Sequence, residues 1–318
     1  MADFSVGIVG LDSLGSALTR RLDQQGIGHT ATDLNARLLQ SHLAGGGSAP
    51  AGSPYDLAQL CDLILLTETS DETLRESVLG SVGLVHALRP GTIIVDMSDG
   101  SPQAGPALAR ALYSKGAIWI EATPVGGPQE LRAGKLTLLT AGAADALERI
   151  TPVLRTFAAK ILRLGELGTG PLAKALASAF GAVSIAIHAE MLIVAKMAGL
   201  DPTGVLDALS LLAPGMGTAP AAVRTQVLTG RYDSDLSSRR LQEDICRVLD
   251  AARTGAVPTL FLPLLQAAAA AASHSPHATG GALDIARWMA DNAGIEFTDA
   301  SPAAVSNQAE SAAAASSS

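Results

Sequence analysis

The stretch VGIVGLDSLGSAL, residues 6–18, decides the fold. An apolar run from Val6 to Val9 ends at Gly10, and helix-forming residues run on from Leu14 through Gly15. A strand, a glycine turn and a helix N-terminus in succession make an anion site, because free backbone N–H groups and the positive end of the helix dipole meet there. Gly10 permits the tight turn, and Gly15 permits close contact of helix and strand. The usual spacing is G-x-G-x-x-G. Here the middle glycine is Asp12, an acid where a pyrophosphate would lie. Leu11, Ser13 and Leu14 complete the turn, and the hydroxyls of Ser13 and Ser16 are candidate phosphate donors. Asp33 ends the next apolar run, near the ~20-residue offset at which an acid hydrogen-bonds a ribose 2′-hydroxyl. An acid there repels a 2′-phosphate, so the pattern predicts a dinucleotide fold with NAD favoured over NADP. Asp33 also suits a simpler role, capping a helix that begins near Asn35.

Outward from this turn, short apolar runs alternate with helical patterns. Strands are predicted over 5–10, 29–33, 63–66, 92–96 and 118–122, and helices over 14–25, 36–44, 71–79 and 103–115. Residues 45–54 read as a breaker-rich loop. Edge strands over 136–140 and 160–164 flank a helix over 143–157. Such alternation implies an α/β, doubly wound parallel sheet covered by helices on both faces. After Gly165 only helical patterns follow. The first runs from Pro171, which suits an opening turn, to a stop at Gly199. It is apolar nearly all round, so it must be buried by the second domain or by another subunit. Helices over 203–212, 219–229, 238–254, 258–272 and 282–293 complete the pattern. The expected domains are a nucleotide-binding part over 1–165 and a helical part over 166–300. A Ser/Ala-rich tail over 301–318 has too little apolar bulk to pack.

Composition narrows the partners. The 318 residues suffice for two domains of the usual ~150 each. Apolar residues make up 48% but aromatics only 3%, so Ala, Leu, Val and Ile must fill the cores. The formal charge is −8 with no basic cluster, which argues against nucleic acid or an anionic membrane as partner. Cys61 and Cys246 lie far apart in sequence, which fits a reduced, cytoplasmic protein. The opening Met-Ala-Asp-Phe has no charged leader, and the Ala-rich run over 267–272 is too short for a membrane span. His274 and His277 lack partner ligands, so no metal is expected.

Five stretches, GIVGLDSLGSAL, TDLN, IIVDMSDGSP, EATPVGG with GKLTLLTAG, and GTGPLAKALASA, are each loose motifs. Their order and spacing together resemble the β-hydroxyacid dehydrogenase family over about residues 5–293. The resemblance implies a Rossmann-type domain, a long interdomain helix, an all-helical C-terminal domain and assembly as dimers or tetramers. It also implies reversible NAD(P)-linked oxidation of a hydroxyl β to a carboxylate. Lys174 matches the family's catalytic lysine, which exchanges a proton with the substrate oxygen; that role needs its pKa lowered by burial or nearby charge. Read alone, it is a surface lysine snorkelling from an apolar helix. Ser178 stands one turn later, on the same face, where the family has asparagine.

In the family's serine-glycine-glycine loop, which grips the substrate carboxylate, this chain reads Gly126-Gly127-Pro128, leaving the backbone amides of Gly126 and Gly127 as donors. Ser98 closes a strand at the edge where ligands bind, as a candidate substrate or nicotinamide contact. Asp99 replaces a threonine that faces the cofactor, and Glu243, preceding Asp244, replaces a lysine. Asp12, Asp99 and Glu243 thus put three acids where the family lines an anionic cofactor. Two charges about 5 Å apart interact by on the order of 3 kcal/mol at an effective dielectric of about 20, so weakened cofactor binding is expected. His188 and Glu190, inside the long helix, suit packing or a buried hydrogen-bonded pair. Two other readings use the same scaffold: a non-catalytic relative kept for binding or assembly, and an imine reductase, against which Lys174 speaks.

Overall fold

The computed structural model describes residues 4–47, 50–98, 100–212, 219–232, 238–275, 278 and 281–297. The chain divides into two compact units, Met1–Lys174 and Ala175–Ser318.

In the first unit β1 (Val6–Val9), α1 (Ser13–Gln24), β2 (His29–Thr32), α2 (Ala36–Ala44), α3 (Pro54–Leu60), β3 (Leu63–Leu66), α4 (Asp71–Leu79), β4 (Ile93–Asp96), α5 (Ala104–Leu112) and β5 (Ile118–Val125) alternate as the pattern predicts. Then come α6 (Pro128–Arg132), β6 (Leu136–Gly142), α7 (Ala144–Leu154) and β7 (Ala158–Gly165). The seven strands lie in the order β2-β1-β3-β4-β5-β6-β7. Pairing from β2 to β5 is parallel, β5 and β6 are antiparallel, and β6 and β7 are again parallel. Every residue of β1, β3 and β4 is buried, because helices cover both faces of the sheet. One face packs Ile8, Leu65 and Val95 against Leu18 and Leu22 of α1 and Ile150 and Leu154 of α7. The other packs Ile64, Leu66 and Ile94 against Leu57 of α3, Leu74 of α4 and Leu108 of α5. Strand order reverses beside β1, and such a switch point opens a crevice at the strands' C-terminal ends.

The sequence pattern does not predict α3 or α6. Each begins with proline, at Pro54 and Pro128, and a proline that reads as a breaker is also the favoured first residue of a helix. The two edge strands run longer than expected. β7 lies at the end of the sheet, with most of its residues exposed, among them Lys160 and Arg163.

The second unit is helical. It holds most of α8 (Thr169–Met197), followed by α9 (Pro202–Leu212), α10 (Ala219–Ala222), a π-helical turn Val223–Val227, α11 (Ser238–Thr254), α12 (Phe261–Ser273) and α13 (Ala282–Asn292). Ala175, Ala179 and Ala182 of α8 pack on Leu241, Ile245 and Val248 of α11 and on Leu265 and Ala269 of α12. Farther along, Leu192 and Ile193 meet Leu206, Val227, Ala286 and Phe297. The small alanines let these helices approach closely. α8 is long and apolar enough to cross a membrane, yet it carries the packing of this unit. The expectation of burial on all sides is only half met within one chain. Leu176, Phe180, Ile187, Met191, Val194 and Met197 are exposed, Phe180 to 62%. The tail expected over 301–318 lies outside the described residues.

Candidate active site

The glycine turn sits at the C-terminal end of β1. Gly10 has φ +100°, a conformation that favours glycine, and its N–H continues the β2 ladder by donating to the Thr32 carbonyl at 3.0 Å. A Cβ on Gly15 would lie 2.0 Å from the Gly10 carbonyl oxygen, so α1 reaches the strand only because residue 15 has no side chain. From β3, Thr67 Oγ1 donates to the Gly10 carbonyl at 2.9 Å and closes the turn from the other side of the switch point.

α1 starts at Ser13, which makes Asp12 its N-cap. Asp12 Oδ1 accepts from Leu14 N–H at 3.1 Å and from Gly15 N–H at 3.0 Å. These are first-turn donors of the kind an anion seeks at a helix N-terminus. Asp12, whose charge the sequence sets against a phosphate, is thus the cap of α1 and holds those two amides itself. Ser13 is exposed at the mouth of the turn, whereas the Ser16 hydroxyl donates to the Leu11 carbonyl at 2.9 Å.

Asp33 follows β2 and braces the same turn. Its Oδ2 accepts from Leu11 N–H at 2.7 Å and its Oδ1 from Asn35 N–H at 2.6 Å. The cap of α2 is Asn35, whose side chain accepts from Arg37 N–H at 3.0 Å, so Asp33 is not that helix's cap. A third carboxylate, Glu68, stands after β3 and was not apparent from the sequence. Burial pushes its carboxyl up, against hydrogen bonds from Ser77 and Thr73, and the charges of Asp33 and Asp12 add to the rise. Only its position next to Thr67 at a strand end signals it.

Ser98 is buried just past β4. Its N–H donates to Asp96 Oδ1 at 2.9 Å and its Oγ accepts from Gly100 N–H at 3.3 Å, so the hydroxyl belongs to a tight turn. Asp99 lies outside the described residues. Beyond β5, Gly126 has φ +113°. Gly127 N–H is held by Glu130 Oε2 at 2.9 Å, and that bond lowers the Glu130 carboxyl below its usual range. As a free donor to a substrate carboxylate, Gly127 is therefore corrected, since Glu130 of α6 already takes its amide.

Lys174, half-buried, stands on the second turn of α8 and belongs to the first unit with these loops. Ser178 follows one helical turn later, its hydroxyl buried and without a hydrogen-bond partner among the described residues. In the second unit Glu243 Oε1 accepts from Arg239 Nε at 3.0 Å. Its neighbour Asp244 is buried and paired with Arg247 at 3.1 Å. His188 Nδ1 meets the Ser184 carbonyl at 2.6 Å while Glu190 is exposed, so the two do not form the buried pair.

Residues 5–165 match the model of the NAD binding domain of 6-phosphogluconate dehydrogenase. Residues 168–289 match the model described as NAD-binding of NADP-dependent 3-hydroxyisobutyrate dehydrogenase. The L-threonate dehydrogenase of Cupriavidus necator is 29% identical over 265 residues, which cover 83% of this chain and 88% of that one. The 2-(hydroxymethyl)glutarate dehydrogenase of Eubacterium barkeri is 26% identical over 254 residues, covering 80% and 84%. In fold, the chain is similar to a solved 3-hydroxyisobutyrate dehydrogenase of Mycobacterium tuberculosis, with a TM-score of 0.77 at 20% identity over 90% of this chain and 99% of that one.

Proposed function

The chain belongs to the β-hydroxyacid dehydrogenase family, and from that premise we propose that Lys174 is the acid–base residue of an NAD-linked oxidation of a small hydroxy acid. The enzyme class, an NAD(P)-dependent oxidoreductase, follows from the family. The relatives are named for threonate and 2-(hydroxymethyl)glutarate, both small acids bearing a hydroxyl. The observation that supports the assignment is that Lys174 stands on the second turn of α8, whose start, at Gly168 and Gly170, lies against Glu121 and Thr123 of β5, the strand that leads into the Gly126 loop.

The turn fits a dinucleotide in outline. A Cβ at Gly10 would meet Thr67 Oγ1 at 2.8 Å, so the turn closes this tightly only with glycine there, and Asp33 stands at the strand end where a ribose would lie. The phosphates would take the Leu14 and Gly15 amides only by displacing the Asp12 carboxylate, which is partly solvent-exposed. When bound, the nicotinamide accepts or returns a hydride. The chain's part is the proton. The Lys174 amine takes it from the substrate hydroxyl during oxidation and its ammonium returns it during reduction, with Ser178 as a second polar group on that helix face. Gly126 N–H is the remaining backbone donor for the substrate carboxylate. The charge of Asp33, with Asp12 and Glu68 behind it, selects NAD over NADP. The exposed strip of α8 is the contact of a homodimer, and reduced cysteines fit a cytoplasmic protein.

The test is turnover of NAD with a panel of small hydroxy acids, threonate and 3-hydroxyisobutyrate among them, followed by NADH absorbance. Lys174→Ala is expected to cut turnover by a factor of about a hundred or more while leaving NADH affinity within a factor of about two. Retained turnover in that variant overturns the role of Lys174.

A further inference from the structure

Behind the glycine loops, a carboxylate is buried where α8 begins. Trp119, Glu121 and Thr123 alternate along β5 and share the sheet face that α5 covers. Glu121 is 1% exposed, and its Oε1 accepts from Gly168 N–H at 2.6 Å, with the Gly170 amide as a further donor to the carboxylate. Three glycines make this approach possible. A Cβ on Gly105 of α5 would meet Glu121 Oε1 at 2.6 Å and Trp119 Nε1 at 3.3 Å. On Gly168, whose φ is +93°, it would meet the Pro102 carbonyl at 2.6 Å, and on Gly170 it would meet Thr123 Oγ1 at 2.7 Å. Gly168 and Gly170 flank Thr169, the first residue of α8, and Lys174 follows a turn later. Glu121 is thus fixed to the helix that carries Lys174.

The charged group facing Glu121 is Asp96, its register partner on β4 and likewise buried. Burial pushes the Glu121 carboxyl up to about 7; the Gly168 amide pulls against that rise and Asp96 adds to it. Glu121 Oε2 and Trp119 Nε1 are both buried without a hydrogen-bond partner among the described residues.

We propose that Glu121 is a positioning residue for Lys174, its carboxylate anchoring the first turn of α8 to β5 and so setting where the Lys174 side chain stands, most firmly when ionised. An ionised acceptor makes a stronger bond to backbone N–H than a neutral one, and a negative charge at a helix N-terminus adds a favourable dipole interaction. Protonation weakens both. The proposal rests on Lys174 as the acid–base residue, and its test separates the two.

The ligand-free protein is made with Trp288→Phe, which leaves Trp119 as the sole tryptophan of the two in the chain. Its emission is expected to titrate near pH 7, and Glu121→Gln, which keeps the shape and drops the charge, is expected to abolish that titration. Labelling of Lys174 by an amine-reactive reagent, read by peptide mass spectrometry, is expected to step over the same pH range. The step should be absent in Glu121→Gln and displaced in Glu121→Asp, which keeps the charge on a shorter arm. In turnover, Glu121→Gln is expected to lower kcat about tenfold with the KM for NAD unchanged, the size expected from losing a charge-assisted bond. Identical Lys174 labelling curves in the native and Gln proteins overturn the proposal, as does unchanged kcat in an active enzyme. A labelling step that persists in a protein with no hydroxy-acid turnover instead refutes the dehydrogenase role of Lys174 and leaves the anchor standing.

Discussion

Replacing Asp12 by glycine should strengthen NADH binding. In the ligand-free turn the Asp12 carboxylate holds Leu14 N–H at 3.1 Å and Gly15 N–H at 3.0 Å. A phosphate must take those amides from it and then sit beside the displaced charge. A unit charge about 5 Å away costs on the order of 3 kcal/mol at an effective dielectric of about 20, less whatever solvent screens at this partly exposed position. Asp12→Gly removes both the competitor and the charge. NADH affinity should then rise by about tenfold to a hundredfold, or about 1.4 to 2.8 kcal/mol. The loss on the folding side is small, since glycine at an N-cap costs only a few tenths of a kcal/mol relative to aspartate. Asp12→Asn divides the effect, because it keeps an acceptor on the two amides and drops the charge; the share it reproduces is electrostatic. The assay is a fluorescence titration with NADH at low and high salt, and the electrostatic share should shrink as salt rises. A native protein that binds NADH at micromolar levels, with neither variant moving the value, would refute the reasoning, because Asp12 would then be leaving its amides at no cost.

Asp33→Ala should narrow the preference for NADH over NADPH, which we expect to be about tenfold or more in the native protein, as judged by paired titrations; equal native affinities would show that Asp33 does not face the ribose. Glu121 gives a pH effect of defined sign. Its folded pKa, about 7, lies above the ordinary 4.5 because burial disfavours the charge more than the Gly168 bond favours it, so the protonated group's stability advantage is fully present below about 4.5 and is lost as pH rises through about 7, even though the bond to Gly168 is then stronger. The total is on the order of 3 kcal/mol, and urea unfolding at about pH 5 and about pH 8 should show that difference shrinking in Glu121→Gln. Finally, light scattering should give twice the chain mass or more, and Phe180→Asp, which charges the exposed strip of α8, should halve it. A native monomer would refute that use of the strip.

The sheet was legible because its strands are short apolar runs buried on both faces. β3, α2, α4 and α11 keep their expected bounds. What escaped were helices hidden by their own first residue. Ser53-Pro54 and Gly127-Pro128 read as turns, yet each is a cap followed by proline at the first helical position. A one-residue boundary had a larger effect at the site. With α1 starting at Leu14, Asp12 stands outside the helix and points anywhere; with α1 starting at Ser13, it is the cap and must face the first-turn amides. The charge of Asp12 was visible in the sequence and its direction was not. The same holds for Glu130, whose hold on Gly127 depends on α6 forming. The burial of Glu68 and Glu121 gave no local signal, because it comes from strands and helices distant in sequence. Nor could the apolar pattern of α8 say which side its own unit would cover.

β7 ends the sheet, and its outer row of backbone donors and acceptors is a template on which another strand can add. Leu162 and Leu164 are exposed along it and would favour such stacking. Lys160 and Arg163 interrupt that apolar run with positive charge, so a second copy offering the same edge meets like charge against like. In a chain with a net charge of −8, these two cations lie on the strand where sheet-to-sheet aggregation would begin, the placement that opposes it.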